Sequence, residues 1–389
     1  MNPKLPVRKS RIVRTGRQTK PVAFNQKKRV MIFKKYSSVE NSFDEEYIQK
    51  VRWQMPPDLK YAVQEKVHGA NASFLCDGSE IRFAKRTALV GTDESFYGCT
   101  DLVNLYRDKI LALTRDVMRR SLGITQVSIF GELFGGCYPH PDVPAIRNMV
   151  PVQKGVYYCP GHEFYGFDIY VIQENEGNFL SVEETDALFE KNGFFHAKTL
   201  FTGTLDECLA YPNAFVSHVP EWLGLPPIED NICEGIVIRP VIPMFLWNGS
   251  RVMIKSKNER FAEKKAQRGP APELDPGAGY SDEMKELVAV LATYITEPRL
   301  DNVISHIGDV QLPRDFGMLT GLYAKDIFED YMKENAVAYN ELERKEQKAI
   351  KKELARLSAE MIKSSISISE RGDSPGSGCS ANPTPESKE

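Results

Sequence analysis

Apolar and polar residues alternate with a period of two in short runs at 72–75, 80–84, 127–130, 165–172, 235–238 and 251–254. That period predicts strands with one face buried. Helical periodicity interrupts them at 100–119 and 182–192, so strands and helices do not alternate regularly. The mixture excludes a regular βαβ sheet and predicts an α+β fold with antiparallel sheets. Beyond 280 the pattern turns helical, at 281–296, 299–308, 313–333 and 339–363. Ser281 offers an N-cap, but Met284 stands where a capping box needs Glu or Gln. The last stretch alternates Glu with Lys or Arg four residues apart, the mark of a solvated face.

Composition divides the chain further. The formal net charge of −3 conceals ten Lys or Arg and no Asp or Glu in residues 1–30, leaving 40 basic against 53 acidic groups elsewhere. A basic arm on an acidic body confines any contact with a polyanion to the arm or to a lined groove. Pro- and Gly-rich sequence at 266–280 predicts a linker, and Ser, Pro and Gly at 365–389 predict a disordered tail. The expected organisation is therefore a disordered arm at 1–30, a sheet-rich domain at 31–265, the linker at 266–280, a helical domain at 281–364 and the tail. No apolar run approaches a membrane span and no secretory segment is evident, so no membrane contact is expected. The default location is intracellular, in the cytoplasm, with the mitochondrion as the alternative if the Arg-rich arm is a transit peptide. No obligate protein partner is evident.

The seven cysteines include no Cys-x-x-Cys pair and are expected to be reduced thiols. Cys137-x-x-His140 and Cys159-x-x-His162 carry zinc-ligand residue types, but their spacing fits no common zinc module and surface loops are expected instead.

Five fragments carry chemistry in a fixed order: Glu65-Lys66-Val67-His68-Gly69-Ala70-Asn71, Phe130-Gly131-Glu132-Leu133-Phe134-Gly135-Gly136, Phe164-Tyr165-Gly166-Phe167-Asp168, Glu234-Gly235-Ile236-Val237-Ile238-Arg239 and Ile254-Lys255-Ser256-Lys257. A lysine nucleophile needs its amine deprotonated by desolvation or nearby cations. Lys255 and Lys257, two apart on a strand, leave the same face and could both hold a phosphate and discourage charge on Lys66. Glu132 and Glu234 suit a hard cation or a ribose hydroxyl. Phe167, alternating with Tyr165 and Ile169, offers a ring for base stacking. Gly69 suits a turn returning Asn71 over the lysine, and Gly135-Gly136 a strand end just after Glu132. Each fragment alone is weak, and Lys66, Arg86, Lys255 and Lys257 taken singly read as surface charge. All five in order outweigh that reading.

With Phe33-Lys34-Lys35-Tyr36-Ser37-Ser38-Val39-Glu40-Asn41, Ala84-Lys85-Arg86-Thr87 and the run Arg299 to Gly308, these fragments resemble the RNA ligase 2 family. That family groups phage double-stranded RNA ligases with trypanosome RNA-editing ligases. The resemblance runs from about Met31 to Lys363, and His68 separates it from DNA ligases and capping enzymes. It implies an antiparallel-sheet nucleotidyltransferase domain, ATP-grasp-like, followed by a small all-α domain. It also implies an ATP-dependent RNA ligase joining 5′-phosphate to 3′-hydroxyl ends, preferentially at nicks in duplex RNA, through lysyl-AMP and RNA-adenylate, with Mg²⁺ or Mn²⁺. Lys66 would carry the adenylate, with Glu65 and Val67 beside it in the nucleotide site. Glu132 would bind the ribose, Phe167 the adenine, Glu234 the metal, and Lys255 with Lys257 the phosphate. Asn71 and Arg86 would serve the later steps, while Phe96, Tyr97, Arg299 and Asp326 would meet RNA. Arg239 departs from the phage lysine at its position, and Tyr97 from a common Phe. Two rivals stand beside this reading. A capping guanylyltransferase would carry a β-rich domain where this chain reads helical. A silent RNA-binding scaffold would have lost the charged groups that remain here.

Overall fold

Two five-stranded sheets pack against one another in this computed structural model, which describes residues 30–265, 272, 280–308 and 310–370. The expected arm, linker and tail lie largely outside the described residues. Residues 30–32 carry no regular secondary structure.

The sheet-rich part contains, in chain order, β1 (Glu40–Asn41), α1 (Glu45–Gln54), β2 (Tyr61–Lys66), β3 (Ala70–Cys76), β4 (Ile81–Lys85), α2 (Cys99–Arg120), β5 (Ile124–Cys137), β6 (Cys159–Gln173), β7 (Glu176–Phe179), α3 (Val182–Lys191), β8 (Thr199–Gly203), α4 (Leu205–Leu209), α5 (Val219–Trp222), β9 (Gly235–Pro240) and β10 (Ile254–Lys257). The helical part follows as α6 (Asp282–Ala292), α7 (Glu297–Ile307), α8 (Phe316–Glu341) and α9 (Arg344–Glu370). One sheet has the order β1-β10-β9-β2-β8, with only the β1–β10 pair parallel. The other, β4-β3-β5-β6-β7, is antiparallel throughout. This is the α+β class that the sequence predicts.

Each sheet buries one face under helices. Ala70, Ala72, Phe74 and Cys76 alternate inward from β3 to meet Leu102, Tyr106, Ile110, Leu113 and Val117, a stripe along α2 at helical spacing. In the other sheet Val63, Ile236, Ile238 and Ile254 pack on Tyr47, Ile48 and Val51 of α1. Full burial of such side chains stabilises by roughly 1.5–3 kcal/mol each. Between the sheets, Val67, Phe134 and Tyr165 form one apolar patch and Tyr36, Phe130 and Met253 another. A cavity opens beside them.

The helical part has its own core, with Leu319, Tyr323, Ile327 and Tyr331 of α8 against Leu287, Val288 and Leu291 of α6. Ser281 caps α6 by accepting from the Met284 amide, and Glu346 of α9 accepts from the Ser281 amide in place of a local capping box. α8 continues eight residues past the expected 333, because 334–338 holds no helix breaker.

β2 escaped the alternation search because residues 61–65 are buried on both faces, which erases the period of two. β10 begins where the 251–254 pattern ends.

Candidate active site

Strand register assembles the reacting groups. Lys66 ends β2 opposite Gly235, which begins β9 and itself stands opposite Lys257 on β10. Glu234 therefore turns in beside a row running Lys66–Gly235–Lys257. Only glycine allows that closure: a Cβ on Gly235 would lie 2.1 Å from the Ser256 carbonyl oxygen, and φ there is +151°. Gly69 works in the same way, since its Cβ would fall 2.2 Å from the Leu133 oxygen. It permits close approach to β5 rather than a left-handed turn.

Glu234 is wholly buried, with Oε2 2.7 Å from Lys66 Nζ and Oε1 2.8 Å from Lys257 Nζ. His68 Nδ1 stands 3.4 Å from the same Oε2. Burial pushes the Glu234 carboxyl up, but Lys257, Lys66 and His68 outweigh it and hold the group well below the usual carboxylate range. Lys255 and Lys257 share one face as expected and converge on Glu263, at 3.3 and 2.6 Å. Burial lowers Lys255, with Glu263 opposing. Burial also lowers Lys257, but there Glu234 and Glu263 prevail and raise it. Glu132, opposite Asn71 across the β3–β5 pair, is pushed up to about 7, first by burial, against the pull of Lys66.

Lys66, Glu132, Lys255, Lys257 and Glu263, with residues Glu65, Val67, Asn71, Arg86, Phe167, Val237 and Arg239, line a cavity of about 910 Å³ including its open mouth. Phe167 packs against Tyr36, ring centroids 5.0 Å apart. A register shift in the β5–β6 pair displaces the alternation expected beyond Phe167. Tyr165 lines the cavity with Phe167, while Ile169 turns to the α2 core. Behind the ring, Asp168 accepts from the Tyr36 hydroxyl at 2.8 Å and pairs with Arg251 and Arg239 at 2.5 and 3.2 Å. Arg239 is 2% exposed, and its Nε and one terminal nitrogen lack a hydrogen-bond partner. Donors left over on a residue that lines the cavity fit a heteroaromatic ligand with acceptor nitrogens.

Glu65 faces away from that chemistry. Its carboxyl accepts from Ser217 Oγ at 2.6 Å and the His218 amide at 2.9 Å, and burial pushes it from an ordinary 4.5 up to about 7. Between those values the unfolded chain loses the proton first, so stability falls as pH rises through the window, by about 3 kcal/mol for this group. Glu65→Gln is expected to reduce the drop in unfolding free energy between about pH 5 and pH 8 in urea titrations. An unchanged drop would mean that Glu65 is ionised in the fold.

Several expectations need correction. Gly135 and Gly136 do not end the strand: both have φ above +90°, and β5 bends past them to Cys137. Phe96 and Tyr97 are 1% and 7% exposed, packed in the α2 core rather than on the open surface. Arg299 is also buried, pairing with Asp326 at 2.6 Å and Asp330 at 2.9 Å. Arg299 and Asp326 thus tie α7 to α8. Among the described residues no cluster of three His, Cys, Asp or Glu could hold a metal. His162 is bonded to the Val150 carbonyl, His140 to the Asp142 amide and Cys159 to the Gly161 carbonyl.

The sequence reading missed Glu263, Asn302 and His306, all lining the cavity. Asn302 and His306, with Arg299, fall three and four apart on one face of α7, a spacing visible in the sequence. Burial, followed by nearby Arg86, lowers His306 to about 3.

Residues 59–257 match a family model described as RNA ligase, and 278–360 match one described as T4 RNA ligase 2 C-terminal. The chain is 28% identical over 352 residues to mitochondrial RNA-editing ligase 2 of Trypanosoma brucei brucei, covering 78% of this chain and 84% of that protein. It is 30% identical over 333 residues to mitochondrial RNA-editing ligase 1 of the same organism, covering 69% of each. A solved structure of Naegleria gruberi RNA ligase with PPi shares 16% identity at a TM-score of 0.37, over 58% of this chain and 56% of that one. The chain spans little more than half of that structure, and so loose a likeness carries no weight on function. The two family models span the sheet-rich and helical parts alike, so the chain belongs to the RNA ligase 2 family of ATP-dependent RNA ligases.

Proposed function

We propose that this ligase joins 5′-phosphate to 3′-hydroxyl RNA ends, preferentially at nicks in duplex RNA, through adenylated Lys66 and an adenylated 5′ end. The observation that carries this reading is the buried row in which Glu234 joins Lys66 to Lys257 at the cavity. The Lys66 amine gives up a proton to solvent, and its lone pair attacks the α-phosphorus of ATP. A P–N bond forms as the P–O bond to pyrophosphate breaks, and pyrophosphate leaves with that electron pair. Lys255 and Lys257 would neutralise the phosphate, Glu132 would hold the ribose, and Phe167 with Arg239 would hold the base. Mg²⁺ or Mn²⁺ would offset charge on the leaving pyrophosphate. Glu234 would be its protein ligand. Asn71 and Arg86, at the cavity wall, would act on the adenylated RNA end and the attacking 3′-hydroxyl.

The helical part would grip the duplex by its A-form shape. A capping guanylyltransferase is disfavoured by the all-α region and its family match. Ligation of nicked RNA duplex, nicked DNA duplex and single-stranded RNA, with and without residues 1–30, tests the substrate assignment. Nicked RNA should seal fastest, and equal rates on single strands would overturn the duplex preference. Loss of the arm should weaken RNA binding and flatten its salt dependence if the arm contacts phosphates. No described helix is long and apolar enough to cross a membrane. The mitochondrial relatives favour that compartment over the cytoplasm, and import of a reporter fused to residues 1–30 tests it.

A further inference from the structure

Glu263 joins the phosphate lysines to the helical part of the molecule. Its carboxylate lies 2.6 Å from Lys257 Nζ and 3.3 Å from Lys255 Nζ, and it accepts from Asn302 Nδ2 of α7 at 3.1 Å. Its backbone carbonyl accepts from Arg299 Nε at 3.1 Å. Burial pushes the carboxyl up, yet Lys255, Lys257 and Arg299 prevail and hold it well below the usual range, so a charged carboxylate stands on the two lysines. An arriving phosphate needs the same ammonium groups, and two anions cannot share them without strong repulsion. The carboxylate has somewhere to go. Glu263 and Lys257 also line a second open cavity, on whose wall stand Lys264, Lys265 and Lys333.

We propose that Glu263 is a positioning residue that occupies the phosphate seat until nucleotide arrives, and that its displacement releases Asn302 and loosens α7 from the cavity mouth. The inference rests on the Lys66 reading above and adds to it a coupling between nucleotide loading and the helical part. Asn302 and His306 of α7 both line the cavity. Their withdrawal would open the route by which an RNA end reaches the adenylate.

Two measurements on the full chain test it. In Glu263→Gln the KM for ATP in covalent labelling should fall roughly fivefold or more, because a neutral amide no longer competes with phosphate. Amide hydrogen exchange in α7 should rise about threefold or more when α,β-methylene ATP is added to the wild-type protein. It should be already raised, and unresponsive to that analogue, in Glu263→Gln. An unchanged or higher KM, or α7 exchange that ignores the analogue in the wild type, would overturn the coupling while leaving Lys66 labelling intact. Absence of wild-type labelling would instead strike the Lys66 reading itself. Should Glu263→Gln fail to fold, Asn302→Ala carries the same exchange test: α7 should be loose without nucleotide and indifferent to it, and a preserved response would overturn the proposal.

Discussion

Lys66→Ala is expected to reduce covalent labelling by α-labelled ATP to background and to abolish sealing of 5′-phosphate nicks. The Lys66 amine is 2.7 Å from Glu234 at the end of β2, in the cavity that Phe167 and Arg239 also line. Lys255 and Lys257 are not expected to substitute, because both are assigned to hold the phosphate that Lys66 attacks. Lys66→Arg should fail as well, since a guanidinium stays protonated and offers no nucleophilic lone pair. A nick that already carries 5′-adenylate should still be sealed by Lys66→Ala, because joining it needs no lysine amine. That residual activity separates a lost nucleophile from a lost fold.

Glu234→Gln should have the second-largest effect. The carboxylate is the common partner of Lys66, Lys257 and His68, and it is fully buried. A neutral amide leaves two ammonium groups without their shared counter-charge, and breaking a buried pair costs about 3–5 kcal/mol. Expressed in the barrier, that is a fall on the order of 10²–10⁴ in the single-turnover rate of adenylylation. Part of the cost should appear as a lower thermal midpoint, which nucleotide would not restore. A rate within tenfold of wild type would show that Glu234 is a structural counter-ion with no part in the transfer.

The site was legible in the sequence where chemistry is concentrated in short ordered motifs. Lys66, Glu132, Phe167, Lys255 and Lys257 were singled out by residue type and order, and strand register brings them to one cavity, with Glu234 paired to Lys66 and Lys257. The fold class followed from the period-two runs. What stayed hidden depends on pairing between distant segments. β2 was invisible to alternation because both its faces are covered, and the displacement beyond Phe167 arises from register with β5. Gly69 was recognised as special for the wrong reason: like Gly235, which was not singled out, it admits a neighbouring carbonyl, which no local turn pattern encodes. Glu263 lies beyond the last recognised motif, and its importance comes from α7 folding back onto it. Phe96, Tyr97 and Arg299 look like surface contacts in a linear string, and only packing reveals that they are buried.

The most direct measurement is peptide mapping of the intact wild-type protein after incubation with ATP and Mg²⁺. The expected result is one adenylate adduct, on Lys66, that is lost when pyrophosphate is added back. A protein that seals nicked RNA yet carries no adduct, or carries it on another residue, would contradict the account.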